Sequence, residues 1–341
     1  MQGVPASGLP RLLAIIGSGE TSPTMTSLHA DLLGRMGDPP VPAVLLDTPF
    51  GFQENADDIA LRGVLYFRNS VGHDIAIASL RNAAIASPLE LETFLARLAS
   101  SRYIFAGPGS PSYALKQWLG TPVVSALQER LRSGGCVVFA SAAAVGLGTV
   151  ALPVYEVYKV GDDPRWLPGL DLLAETGLRA AVVPHFNNAE GGTHDTRYCY
   201  MGLRRIRILE EQLEDGVDIL GVDEHTACIF DLDRSTVTVR GRGAVTLRRQ
   251  GMERRFEAGH TFPISELRAA GDGRQAPGPE GSRPTSTAGS TQVDAPAGTP
   301  FTEAVSGQLA RADAALAAGD PPAVVSALLA IDTELHEWAH D

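Results

Sequence analysis

Cysteine is scarce in this chain. Cys136, Cys199 and Cys228 are the only three among 341 residues, and they are odd in number and far apart, so there is neither a disulfide framework nor a zinc-ligand spacing to read. That pattern fits a reducing compartment. Positive charge is also in the minority: 28 Lys and Arg against 40 Asp and Glu leave a net charge of −12, which provides no electrostatic footprint for nucleic acid or an anionic membrane. Long apolar runs are missing as well. Met1 to Pro10 carry no basic n-region, Leu12 to Ile16 is too short for a signal h-region, and no later run reaches the roughly 20 residues of a membrane helix. The expectation is a cytoplasmic protein with no nucleic acid and no membrane among its partners. Nucleotide loops are incomplete too. Gly107-Pro108-Gly109-Ser110-Pro111 lacks the Lys-Ser/Thr ending of a Walker A loop, and Gly17-Ser18-Gly19-Glu20 is followed by Ser22 where a dinucleotide loop needs its third glycine. No cofactor is expected.

What the chain does have is alternation. From Arg11 to about Glu224, short apolar runs alternate with longer amphipathic stretches, the pattern of parallel strands joined by crossover helices. Candidate strands are Leu12 to Ile16, Ala43 to Leu46, Asp74 to Ala78, Tyr103 to Ala106, Val137 to Ala140, Ala180 to Val183 and Ile219 to Val222. Several are continuously apolar, as strands covered on both faces should be. The expected fold is therefore α/β, three-layered and doubly wound around a mostly parallel sheet. Ala227 to Asp231, Thr236 to Val239 and Ala244 to Leu247 read as shorter antiparallel strands that finish the sheet edge or form a small appendage. A main domain over 1–268 is then followed by a Pro/Gly/Ser-rich disordered linker over 269–300 and a helical hairpin over 301–341, broken at Gly319-Asp320-Pro321. Two helices make a poor core alone, so the hairpin is expected to dock on the main domain or on a second subunit, the latter giving a homodimer.

In such a sheet a site belongs at the carboxyl ends of the strands. Val137 to Ala140 runs as a buried strand into Ser141-Ala142-Ala143-Ala144, which reads either as a nucleophile turn that lifts a serine hydroxyl out of the sheet or as an ordinary helix N-cap. His185, ending the strand Ala180 to Val183, is placed as a general base or as a partly exposed loop histidine. The loop after it is dense in titratable groups, and Glu190, His194 and Asp195 are candidates for an ion or a polar pocket, although Thr193 to Asp195 equally suits the N-cap of a helix running through Leu213. No metal is expected. Asp223 and Glu224 close the last parallel strand; one of them can orient a histidine, and alternation cannot choose between them.

Taken in order, Ile15-Ile16-Gly17-Ser18-Gly19-Glu20, Phe105-Ala106-Gly107-Pro108-Gly109-Ser110, Ser141-Ala142, His185-Phe186 and Gly221-Val222-Asp223-Glu224-His225-Thr226-Ala227 resemble the cyanophycinase and dipeptidase E family of serine peptidases, whose fold is like that of class I glutamine amidotransferases. The likeness spans about Leu12 to Val239. It implies a triad of Ser141, His185 and Glu224, an oxyanion hole made by the N–H groups of Ala142 and Gly109, and a small peptide or amide as substrate. Glu20, Ser110, Tyr155, Asn187 and Glu190 are the candidates for substrate contact. The chain also departs from the family. Pro184 replaces the Gln expected before the His-Phe pair, Asn187, Asn188, Ala189 and Glu190 stand where arginines would bind substrate carboxylates, Ala143 replaces a glycine, and the segment from His185 to Glu224 is enlarged. A preference for acidic substrates is not implied, and the loop suits a cationic or amine-bearing group. Two other readings of the same fold stand beside this one: an amidotransferase-like domain acting with a partner, for which a cysteine in the turn and a His-x-Glu pair would be needed, and a binding or scaffold protein without catalysis.

Overall fold

A computed structural model describes residues 8–271, together with Ala310, Arg311 and Ala314, which are helical. The chain divides into two compact units, Met1–Pro277 and Gly278–Asp341. The expected linker lies outside the described residues beyond Gly271, and so does the expected hairpin apart from those three positions.

The elements of the first unit are β1 (Arg11–Ile16), α1 (Thr26–Gly34), β2 (Ala43–Leu46), α2 (Ala56–Tyr66), β3 (Ala76–Ala78), α3 (Pro88–Ser100), β4 (Tyr103–Ala106), α4 (Pro111–Trp118), α5 (Pro122–Ser133), β5 (Gly135–Ala140), α6 (Ser141–Val145), β6 (Val150–Ala151), β7 (Leu167–Pro168), β8 (Ala180–Val183), α7 (Gly202–Glu211), β9 (Asp218–Val222), β10 (Thr226–Asp231), β11 (Thr236–Gly241), β12 (Ala244–Arg249), β13 (Met252–Glu257), β14 (Thr261–Pro263) and α8 (Ile264–Gly271). An eight-stranded sheet runs β14-β11-β10-β1-β5-β4-β2-β3. Its pairings from β1 through β5, β4 and β2 to β3 are parallel, whereas β10, β11 and β14 add antiparallel strands beyond β1.

Alternation along β5 shows why this sheet is covered on both faces. Val137 and Phe139 join one apolar cluster with Trp118 and Leu127 of the helices on that side. Cys136, Val138 and Ala140 join the other with Leu28 and Leu32 of α1 and Ala60 of α2. Successive side chains of a strand point to opposite faces, so a strand without polar residues needs a layer on each. Each buried Val or Phe contributes roughly 1.5–3 kcal/mol. Three of the crossover helices start on the same local signal, a hydroxyl followed by proline. Ser87, Ser110 and Thr121 accept the N–H of Glu90, Tyr113 and Val123, and the prolines that follow have no N–H to leave unpaired.

Three expectations change. The strands β8 and β9 do not extend the main sheet; they form a four-stranded sheet of order β13-β12-β9-β8. The reason is local: the chain reverses directly after β9 and lays β10 antiparallel on β1, which takes the edge, while β12 pairs antiparallel with β9. Apolar alternation says that a strand is buried and does not say beside which strand. Next, β13 reads Met-Glu-Arg-Arg-Phe-Glu and is mostly exposed, so it carries no apolar signal. Finally, the helix expected from Thr193 to Leu213 starts only at Gly202. Asp195 still acts at its start, but across a gap, accepting the Leu203 N–H at 2.9 Å. Tyr198, Cys199 and Tyr200 in between hold φ of 60°, 55° and 67°. Among the described residues no helix is long and apolar enough to cross a membrane.

Candidate active site

The carboxyl ends of β1, β5, β8 and β9 converge. Gly17, just past β1, donates its N–H to Thr226 and accepts the N–H of His185, at 2.9 and 3.3 Å. A side chain at Gly17 would meet the Asp223 carbonyl at 2.1 Å, so this close approach requires glycine.

Ser141 stands at the junction of β5 and α6 with φ of 49°. A left-handed conformation costs a non-glycine residue about 1–2 kcal/mol, and the cost persists only where surroundings impose it. Here β5 is fixed on both sides in the sheet, and the Ala143 N–H is tied to the Gly107 carbonyl at 3.2 Å. The strained turn aims the hydroxyl at His185: Ser141 Oγ lies 2.9 Å from His185 Nε2. On the other side of the ring, His185 Nδ1 lies 2.8 Å from Glu224 Oε1. A carboxylate only accepts, so Nδ1 carries the hydrogen and Nε2 is left to accept the serine proton. His185 also holds a left-handed backbone, with φ of 48°.

Of the two acids at the end of β9, Glu224 is the one on His185. The hydrogen bond from His185 holds its carboxyl below the ordinary range against partial burial, and Asn188 adds to the effect. Asp223 turns the other way, accepting the Ala244 N–H at 2.9 Å with Arg255 at 3.5 Å.

The oxyanion candidates sit on two neighbouring turns. Ala142 is in the first turn of α6, where N–H groups have no acceptor within the helix. Gly109 has φ of 142°, and a Cβ there would meet the Pro49 carbonyl at 2.0 Å, so no other residue fits this loop as it stands. Ser110 spends its hydroxyl on capping α4. Glu20 is buried with its carboxylate against Gly107, where a methyl group would come within 3.1 Å of Oε1. Burial pushes its carboxyl up, opposed by its own backbone N–H and by His185 and His225.

In the loop after His185 the candidate polar side chains have partners within the protein. Asn187, expected to touch substrate, accepts the Glu224 N–H at 2.8 Å. Glu190 is exposed and accepts the Tyr200 hydroxyl at 2.9 Å. His194 faces Tyr158, their rings stacked 6.3 Å apart. Asp195 is tied to Arg197 and to α7, which keeps its carboxyl well below the usual range. Glu190, His194 and Asp195 thus go to separate partners, and among the described residues no three His, Cys, Asp or Glu side chains gather as a metal-ligand set. Tyr155 is exposed and lies under the Lys159 ammonium at 5.1 Å. Asn188 and Tyr200 were not among the expected site residues. The Asn-Asn pair one residue beyond a strand-ending histidine was the available signal for the first; for Tyr200, whose ring is 6.0 Å from that of His185, the left-handed turn that brings it there has no glycine to announce it.

The mixed α/β fold is shared with a solved peptidase. No family model and no curated protein matches the chain. Among solved structures, a peptidase from an acI-B1 Actinobacterium superposes with a TM-score of 0.60 at 20% sequence identity, over 75% of this chain and 97% of that one. A Listeria monocytogenes EGD-e protein provisionally described as a peptidase E gives a TM-score of 0.46 at 14% identity, over 68% of this chain and 98% of its own. The first of these supports the architecture alone, and the chemistry has to be argued from the side chains.

Proposed function

We propose that this chain is a serine-type hydrolase of the cyanophycinase and dipeptidase E kind on a class I glutamine amidotransferase-like fold, cleaving a peptide, isopeptide or related amide bond. The observation that carries this reading is the continuous line from Ser141 Oγ to His185 at 2.9 Å and from His185 to Glu224 at 2.8 Å, with the serine on a strained strand-to-helix turn. His185 Nε2 takes the hydroxyl proton as Ser141 Oγ attacks the carbonyl carbon. Glu224 holds the ring tautomer and stabilises the imidazolium. The N–H groups of Ala142 and Gly109 receive the oxyanion, each donor being worth about 2.7–4 kcal/mol in comparable enzymes. Collapse of the tetrahedral intermediate breaks the C–N bond, and His185 returns its proton to the leaving amine. Water, deprotonated by the same His185, then hydrolyses the serine ester. The likeness to a solved peptidase supports the reading at the level of architecture. Arg197, the first arginine after His185, gives its guanidinium to Asp195 and is therefore not a free partner for a substrate carboxylate.

Labelling of the full chain by a fluorophosphonate probe tests the proposal. Wild type should label, Ser141→Ala should not, and His185→Ala should label far more slowly; a panel of dipeptides, isopeptides and esters then identifies the bond. A wild type that never labels and cleaves nothing in the panel overturns the reading.

A further inference from the structure

The hydrogen bonds around Glu224 continue beyond the three side chains of the proposed mechanism. Asn188 is fully buried, and each of its polar groups has a partner. Its backbone N–H donates to the His185 carbonyl at 3.1 Å, and its carbonyl accepts the Thr196 hydroxyl at 3.4 Å. Its side-chain Oδ1 accepts the Glu190 N–H at 3.2 Å, and Nδ2 donates to Glu224 Oε1 at 3.1 Å. That oxygen is the one that takes the His185 Nδ1 hydrogen. The series then reaches the surface, since Glu190 Oε2 accepts the Tyr200 hydroxyl.

The terminal torsion of a glutamate is broad, so a single histidine contact leaves its carboxylate free to swing. Here the Asn pair restrains it twice. Asn187 holds the Glu224 main chain, and Asn188 holds the carboxylate oxygen itself. A buried amide without partners is costly, and this one has its donor spent on the acid. We propose that Asn188 is a positioning residue: its amide locks the Glu224 carboxylate onto His185 and ties the acid, through Glu190, to Tyr200 at the rim of the site. The kinetic part of this inference rests on the serine-hydrolase reading; the placement of the acid does not.

Asn188→Asp is the informative change. It keeps the shape and the acceptor for the Glu190 N–H, and replaces the donor to Glu224 by a second carboxylate. The charged and titratable groups already facing this pair are known: Glu224 is approached by His185 and His225 and itself raises Cys199 and Tyr200, while His185 is faced by Glu224 and Glu20. Fluorophosphonate labelling should slow about 10- to 100-fold in Asn188→Asp and in Asn188→Ala, the scale typical for loss of an orienting partner. In Asn188→Asp the acid limb of the labelling rate should also move to higher pH, because a second negative charge favours the imidazolium. A structural asparagine would leave that limb in place. An independent measurement is the titration of the His185 ring by NMR in histidine-labelled protein, assigned by its loss in His185→Gln; its midpoint should rise in Asn188→Asp. Labelling of both variants at the wild-type rate overturns the proposal. If the wild type itself does not label, the hydrolase reading fails and the NMR titration decides alone, an unmoved midpoint overturning the role of Asn188.

Discussion

Replacing His29 should remove a loss of stability that develops between neutral pH and pH 5. The imidazole is fully buried in α1, with Nε2 donating to the Glu20 carbonyl at 2.7 Å and Nδ1 accepting from the Tyr103 hydroxyl at 2.6 Å. Tyr66, Phe67, Tyr103 and Phe105 surround it edge-on. This packing has room for a neutral ring only, and burial lowers its pKa from 6.5 to about 4, opposed in part by the bond to Glu20. In the unfolded chain the same ring takes up its proton near pH 6.5. The unfolded state therefore binds more protons between pH 6.5 and 4, and stability falls as pH falls through that window. At roughly 1.4 kcal/mol for each tenfold change, the whole window is worth about 3 kcal/mol, of which about 2 is lost between pH 7 and pH 5. For a domain of this size that corresponds to a melting shift of roughly 4–8 °C. Thermal melts of wild type and His29→Gln, followed by circular dichroism across pH 7.5 to 5, measure it. The wild-type melting temperature should fall by that amount relative to the variant, which keeps an amide donor for Glu20 and has nothing to titrate. Parallel pH dependences in the two proteins would refute the reasoning.

Gly109→Ala should lose both labelling and stability, because a Cβ 2.0 Å from the Pro49 carbonyl forces this backbone to shift and moves the N–H proposed for the oxyanion; a fall of about 10²–10³ in labelling rate alongside a lowered melting temperature is expected, and labelling at the wild-type rate would show that this N–H is not used. Arg248→Ala should cost about 3–5 kcal/mol in urea unfolding, since the buried guanidinium pairs with Glu210 at 3.0 Å and Glu253 at 2.8 Å and lies over the Tyr198 ring; a loss below 1 kcal/mol would show that this pair of acids is adequately solvated without it.

The strands were legible wherever burial on both faces made them continuously apolar, as in β1, β2, β4, β5 and β8, whose burial is unbroken except for Arg11 at the start of β1. The partition into two sheets was not legible, because β9 and β10 are equally apolar and nothing in their residue types says that the chain changes sheet between them. Ser141 and His185 could be read at strand ends, whereas the choice of Glu224 over Asp223 came only from the resemblance to a known family. The pairing of Asn187 and Asn188 with Glu224 could not be read, since short polar side chains in a loop suit solvent or substrate as well as a neighbouring acid. Thr193 to Asp195 looked like a helix start because a cap was there, displaced from its helix by residues whose left-handed backbone no glycine marks.

The split into two sheets gives the site a mechanical property. The serine rides on the eight-stranded sheet, the histidine on the four-stranded one, and the glutamate on the strap where the chain passes from one to the other. Reactivity therefore reads the alignment of two separate slabs. Moderate denaturant that loosens the join should abolish the proposed serine labelling while each slab still keeps its own backbone ladder, so that loss of labelling precedes the loss of strand signal.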